Sequence, residues 1–506
     1  MPKNKTIKIN TLFVLISSTL LSSCTLFDYL KPNDFFQKKM KDTAPVPAWI
    51  APLPHHGSLK ALNQFWAQYQ DPLLITLISA AEKESVDLAT AKTRIMQARS
   101  NRAIANAALL PTLDATSSSS ISVDQPTPKY KNTGGFIPIQ NGGPTRSTQI
   151  GLQSTWELDL FGENAAELDV SKANLLVAES SWHEARVALA AEVATSYFDY
   201  RFCNQQLVIT KADAASRFET ARLTAISVKA GFADLGSGYL AQASDASSQQ
   251  QVLQQQASCD STIKELVALT NLAEADLKLK MQQDNLPNMD EKNSAELFSI
   301  SEIPAEVIAQ RPDVYMAEQE VMAAMADLKS SQLDRYPTIS INGSIGLLHL
   351  STKNYTSSGG IWSLGPLSIS LPIFDGGKVQ ANIEAKSVKL DETFTSYRSK
   401  VKTAVKEVEQ ALVTLDSTAK RIQSAQVAAK NYKAALANTE IKYQSGFANI
   451  IELEDTRRTS LQADTNIVSL SKERNNAWIS LYRAAGGGWT DTEAGRPLMI
   501  KTDQQK

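Results

Sequence analysis

Cysteine and histidine are scarce in this chain of 506 residues: Cys24, Cys203 and Cys259, and His55, His56, His183 and His349. So few and so scattered, they exclude the paired CxxC or HExxH patterns of zinc sites. His55 and His56 stand between Pro54 and Gly57 and read as solvated loop. Net charge is nearly absent too: 51 basic against 53 acidic residues leave −2, which gives no electrostatic footprint for nucleic acid. Beyond the first two dozen residues no apolar run reaches the roughly 20 residues that a membrane helix needs. The glycine run at 486 to 488 follows a helical segment and lacks the Lys-Ser/Thr of a phosphate loop, so it reads as a helix stop. The nine methionines form no evident cluster, so a copper or silver conduit is not supported. With no convergent nucleophile, base or metal set, no enzyme and no resident cofactor are expected.

What the chain does have starts with a leader. Lys3, Lys5 and Lys8 precede a mostly apolar run from about Ile9 to Leu21, the layout of a secretory signal and too short for a permanent span. Leu21, Ser22, Ser23 and Cys24 resemble a bacterial lipobox, in which the cysteine is lipidated and becomes the mature N-terminus. The alternative is an uncleaved leader with an incidental cysteine. In the lipoprotein reading Thr25 follows the lipidated residue, and by resemblance to sorting in Gram-negative bacteria this directs the protein to the outer membrane. Several acyl chains on Cys24 give durable attachment, since each buried CH₂ adds about 0.8 kcal/mol.

The mature chain repeats itself. "LLPTLDATSSSSIS" (109 to 122) matches "RYPTISINGSIG" (335 to 346), "LDLFG" (158 to 162) matches "LPIFD" (371 to 375), and "KAGFAD" (229 to 234) matches "QSGFAN" (444 to 449). The offsets between Pro111 and Pro337, Phe161 and Phe374, and Gly231 and Gly446 are 226, 213 and 215 (337−111, 374−161, 446−231). Self-similarity in constant order is a tandem duplication. The expected division is a signal peptide at 1–23, a lipidated segment at 24–60, repeats at 61–285 and 286–490, and a polar tail at 491–506.

Between the first two landmarks apolar and polar residues alternate with period two, as in a strand with two different faces. Ile339, Ile341, Ile345 and Leu347 oppose Ser340, Asn342, Ser344 and Gly346, and Leu367, Ile369, Leu371 and Ile373 oppose Ser368, Ser370 and Pro372. In the first half Ile150, Leu152, Trp156 and Leu158 oppose Gln149, Gln153, Thr155, Glu157 and Asp159, and 112 to 123 is a serine-rich partner. Each half therefore holds one β-hairpin, its loop at 125–145 or 351–360. Short helices lead into the strands, beginning near Asp71 and Pro72 and near Pro304. After each hairpin the pattern turns helical. Leu390, Phe394, Tyr397, Val401, Val405, Val408, Leu412 and Leu415 recur at steps of three and four. About 70 such residues reach on the order of 100 Å, and a second long helix after each Gly-Phe-Ala turn makes an antiparallel hairpin.

Four strands with one apolar face do not close a membrane barrel alone, because unpaired edges are costly in lipid and known bacterial barrels begin at about eight strands. Pooling among three copies gives 3 × 4 = 12. At this point the chain resembles the outer-membrane efflux lipoproteins of the TolC-like superfamily, the NodT-type outer-membrane factors of tripartite pumps. "FWAQYQDPLLITLISAAEKESVDLATAKTRIMQAR" (65 to 99), "LPTLDATSS", "TWELDLFG", "IPAEVIAQRPDVYMAEQEVMAA" (303 to 324), "ISLPIFDGGK" and "LYRAAGGGW" (481 to 489) carry the resemblance over nearly the whole mature chain. It implies a mainly α fold with β: a homotrimer with a 12-stranded β-barrel, a long periplasmic α-helical barrel and an equatorial belt. It also implies docking to a periplasmic adaptor and an inner-membrane transporter, often of the resistance-nodulation-division type. The implied role is a passive exit duct for drugs and toxic compounds.

In relatives a tyrosine just before the tip glycine joins a latch and acidic residues after it ring the pore. Here those positions are Tyr443, Gly446, Glu452 and Asp455, with an ordinary solvated helix face as the alternative for the two carboxylates. Gly236, Ser237 and Ala448 depart from the latch pattern of some relatives. Cys203 and Cys259 each lie 28 residues from Gly231 (231−203, 259−231), hence at similar height on two antiparallel helices. A disulfide is expected in the oxidising periplasm, against two buried free thiols. A coiled-coil adaptor has no use for the four strands, and an exported enzyme would need a catalytic set the chain lacks.

Overall fold

The helical part opens at Asp71, whose carboxylate accepts hydrogen bonds from the N–H groups of Leu73 and Leu74 at 3.1 and 3.2 Å. Pro72 follows at the first helical position, where its missing N–H leaves no bond unmade. The structure, a computed structural model, describes residues 49–50, 65–69, 71–123, 144–283, 308, 311–352 and 355–487, with the side chains of 67 and 68 excepted. Cys24, His55, His56, Pro304 and most of the 125–145 loop lie outside the described residues.

The elements are α1 (Phe65–Gln68), α2 (Pro72–Glu84), α3 (Val86–Ala107), β1 (Thr112–Ser122), β2 (Thr145–Glu157), α4 (Glu163–Lys229), α5 (Leu235–Thr270), α6 (Glu274–Gln283), α7 (Pro312–Leu333), β3 (Thr338–Ser351), β4 (Thr356–Ser370), α8 (Lys378–Gln444) and α9 (Ile450–Ala484). The order helix, strand, strand, long helix, shorter helix thus occurs twice, as α3 to α5 and α7 to α9. Helices α4 and α8 have 67 residues each, about 100 Å at 1.5 Å per residue. Each strand-to-helix step has a glycine in the left-handed region at the N-cap, Gly162 (φ 86°) and Gly377 (φ 90°). Asp159 and Asp375 cap the adjacent N–H groups.

The second hairpin loop is shorter than the sequence suggests. β4 begins at Thr356, so the run Ser357 to Gly360, read as loop from its Ser and Gly content, is strand. Cross-strand pairing with Leu347 to Leu350 overrides that composition.

The stripe on α8 is buried as its spacing requires: Phe394, Tyr397, Val401, Val408, Leu412 and Leu415 face inward. Its upper part packs on Val314, Ala317 and Val321 of α7. Its lower part enters the largest core, where α2, α4, α5 and α9 meet around Tyr197, Phe198, Ile263, Trp478 and Tyr482. Phe65 stacks on Tyr482 with centroids 4.7 Å apart. In the same core Cys203 of α4 and Cys259 of α5 form a disulfide, Cα to Cα 5.5 Å. At the end of α9 Gly486 and Gly487 take positive φ, and the Gly487 N–H donates to the Tyr482 carbonyl at 2.9 Å, a C-terminal stop.

The strands form one antiparallel sheet in the order β1-β2-β3-β4, leaving β1 and β4 as its edges. No described helix is long and apolar enough to cross a membrane.

Candidate functional site

The register sorts every sheet residue onto one of two faces. Ala115, Leu152, Ile345 and Trp362 form one cross-strand row, Ser117, Ile150, Leu347 and Gly360 the next, and Trp156 lies beside Ile341 and Leu367. These apolar residues are exposed or half-exposed, Trp362 and Leu364 by 78% and 82%. The opposite face is Thr112, Asp114, Thr116 and Ser118 on β1, Gln149, Gln153, Thr155 and Glu157 on β2, and Ser340, Asn342 and Ser344 on β3. Hydroxyl and amide pairs hold it, such as Thr155 to Asn342 at 3.0 Å and Ser344 to Ser363 at 2.8 Å.

One irregularity makes the apolar face continuous. Ile341 pairs with Leu367 but Gly343 pairs with Leu364, so β4 carries one extra residue at the cis Gly365–Pro366. Unbroken alternation would set Trp362 and Leu364 opposite to Leu367 and Ile369. The bulge returns all four to one face. From Ile339 to Leu347 the band runs about 27 Å along the strand, or about 20 Å of height at the usual tilt of about 40°. Its helix-side rim is aromatic: the Trp156 indole N–H donates to the Leu109 carbonyl at 3.1 Å, and Phe161 stacks on Tyr336 at 5.0 Å.

At the other end of the long helices both hairpins turn in the same way. Gly231 and Gly446 have φ of 78°, and the N–H groups of Phe232 and Phe447 reach back to the carbonyls of Ser227 and Lys442, both at 2.8 Å. Asp234 and Asn449 cap the returning helices. Hydrogen bonds from the Ser237 hydroxyl and N–H hold the Asp234 carboxyl below the ordinary carboxylate range. Phe232 and Phe447 stand 89% and 85% exposed at the two tips.

Of the residues singled out in the sequence, Tyr443 is half-buried and reaches the other hairpin, its hydroxyl 2.9 Å from Thr224 Oγ1. Thr224 already donates to the Thr220 carbonyl at 2.8 Å, so the tyrosine is the donor. Glu452 is exposed, and Asp455 forms an ion pair with Arg458 one turn on.

A buried network behind the tips is not evident from the sequence. Arg217 of α4 donates to Asp213 (2.7 Å), to Ser244 of α5 (2.6 Å) and to Glu454 of α9. Ser244 also donates to Glu454 at 2.5 Å. Arg457, only 4% exposed, donates to Glu454 (2.8 Å), Thr220 (3.2 Å) and Glu440 of α8 (3.3 Å). Glu454 is thus the acceptor that both hairpins share. The available signal was a break in the apolar stripe: Leu453, Arg457 and Ser460 are buried at helical spacing, so polar residues hold core positions.

This geometry offers a two-faced sheet, two long helical hairpins and a polar clasp between their tips; no group of metal-binding side chains occurs among the described residues. The sequence model described as "Outer membrane efflux protein" matches residues 77–272 and 303–487. The chain is 26% identical over 423 residues to the solvent efflux pump outer membrane protein SrpC of Pseudomonas putida, covering 83% of this chain and 87% of that protein. It is 27% identical over 505 residues to nodulation protein T of Rhizobium leguminosarum bv. viciae, covering 96% and 94%. The solved outer-membrane channel OprN superposes with a TM-score of 0.76 at 24% identity over 88% of this chain and 98% of that one, a likeness of fold.

Proposed function

Since the chain belongs to the outer membrane efflux protein family, we propose the assembly and the gate through which it works as the outer-membrane channel of a tripartite efflux system. It is a duct rather than an enzyme, with its strands in the outer membrane and its helices in the periplasm. Three copies join edge to edge, β4 of one beside β1 of the next, closing 12 strands with the apolar face to lipid and the hydroxyl-rich face to water. The carrying observation is the sheet: one exposed apolar face and two unpaired edges, an arrangement that lipid does not tolerate open.

The tips form the gate. Threefold symmetry gathers Tyr443, Gly446, Glu452 and Asp455 around the axis. Glu452 contributes more to cation preference than Asp455, because Arg458 offsets the latter. Tyr443 and the Glu454 network hold the hairpins together in the closed state, so opening exchanges these buried contacts for others. The exposed Phe232 and Phe447 are the docking points for the periplasmic adaptor, which connects the duct to an inner-membrane transporter of the resistance-nodulation-division type. Cys24 carries the lipid that fixes the N-terminus to the membrane. Cargo is small toxic molecules whose selection rests with the pump.

Recording from the purified protein in planar bilayers tests the gate. Glu454→Gln is expected to raise open-state occupancy at least tenfold, since a charged hydrogen bond contributes about 1.5–3 kcal/mol. Glu452→Gln is expected to lower cation preference more than Asp455→Asn. Wild-type gating in Glu454→Gln removes the clasp from the account.

A further inference from the structure

The lipid-facing side of the sheet does not end in apolar residues. Above the row of Ile150 and Leu347, on the side away from the helices, comes Ser119, Thr148, His349 and Ser358, and then Ile121, Arg146, Ser351 and Thr356. Arg146 is the only charged side chain on this face of the sheet; the carboxylates of Asp114 and Glu157 are on the other. It is exposed and has no carboxylate partner among the described residues. Register places it diagonally beside His349: Arg146 faces Ser351 while His349 faces Thr148. Beneath it the row is already tied by hydrogen bonds, Ser119 to Thr148 at 3.1 Å and His349 Nδ1 to Ser358 at 2.7 Å.

Height decides what an arginine can meet there. From Ile150 to Arg146 is four residues, about 14 Å along the strand and about 10 Å of height at a tilt of about 40°. A guanidinium on the lipid face costs about 2–4 kcal/mol at the midplane and about 0–1 near an interface, so Arg146 belongs at head-group level in the outer leaflet. Anionic groups at that depth are lipid phosphates, which a planar guanidinium grips with two parallel hydrogen bonds. Ser351 and His349 supply further donors on the same face.

We propose that Arg146, supported by His349 and Ser351, is a binding site for the phosphate of a phosphorylated outer-leaflet lipid, one per subunit. The site rests on the closed barrel proposed above. Lipid phosphates at this height hold the barrel at a set depth and link it to the surrounding leaflet, a role separate from the gate and from the anchor on Cys24.

The test uses the purified trimer in neutral detergent, titrated with diphosphoryl lipid A and read by native mass spectrometry. Each variant is first shown to run as a heat-labile trimer and to conduct. A failure of the barrel therefore shows itself before lipid is added. Wild type is expected to retain up to three lipids per trimer, Arg146→Ala to bind at least tenfold more weakly, and Arg146→Lys to fall between. Dephosphorylated lipid A is expected to bind like the alanine variant. Equal binding by wild type and the Arg146→Ala/His349→Ala double variant would overturn the site. Full displacement by millimolar inorganic phosphate would overturn the lipid as its ligand.

Discussion

Arg311 stands where three helices meet, and shows how one side chain fastens the upper wall to the lower. Buried at the start of α7, it makes a bidentate pair with Asp313 (2.9 and 2.8 Å), donates to the Ala484 carbonyl at the end of α9 (3.0 Å) and pairs with Glu407 of α8 (2.8 Å). Burial alone would raise the Asp313 carboxyl, but the hydrogen bonds and charge of Arg311 outweigh it and hold the group below the usual carboxylate range. A carboxyl depressed in the folded state adds stability above its unfolded value of about 3.9, and that stability is lost as pH falls through the folded value. Arg311→Ala leaves Asp313 buried and unpaired and is expected to cost about 3–5 kcal/mol, read as a lower melting temperature at pH 7. With Asp313→Asn the difference from wild type should shrink on acidification below about pH 4. The Cys203–Cys259 bond closes a loop of 56 residues, which by chain entropy adds about 4 kcal/mol. Cys203→Ser with Cys259→Ser is expected to lower the melting point and leave single-channel conductance unchanged, because both residues sit in the belt core, far from the tip. Non-reducing peptide mapping that finds both thiols free would remove the bond from the account.

Among the elements, the sheet depends on one close backbone approach. Gly151 of β2 faces Gly346 of β3, and a Cβ added at either would lie 2.6 or 2.5 Å from a carbonyl oxygen across the strands. Gly151→Val or Gly346→Val is therefore expected to abolish the trimer band on mild gels, whereas Gly359→Ala, with open space around it, is expected to keep it. The helices and most of the sheet were legible because period-two and three-to-four spacing report burial directly, as along Phe394 to Leu415. Trp362 and Leu364 lie on the face opposite to the one that alternation from Leu367 and Ile369 gives, since a single extra residue at Gly365 reverses parity; a Gly-Pro pair inside a strand is the sign of it in the sequence. At the tips the glycine turns were legible from the repeat and Tyr443 was marked only by the family resemblance, while the Glu454 network was not legible. Its members come from four helices, and pairing at a sequence separation of 237, as between Arg217 and Glu454, leaves no local pattern.

Across the whole molecule, the account turns on an imbalance in the single chain. The helical hairpins bury their stripes within one copy, but the sheet leaves both edges and an entire apolar face without partners. Association of three copies resolves the edges, lipid covers the face, and the serine, threonine and glutamine side is left around water. The helix tips then lie on the order of 100 Å below the membrane, at a distance a periplasmic partner reaches without entering the bilayer. The most direct measurement is single-channel recording from a verified heat-labile trimer in a planar bilayer, comparing wild type with Tyr443→Phe/Glu454→Gln. The account predicts discrete conductance steps, rare in wild type and frequent in the double variant. A verified trimer that stays silent in both forms would contradict a duct closed at its tips.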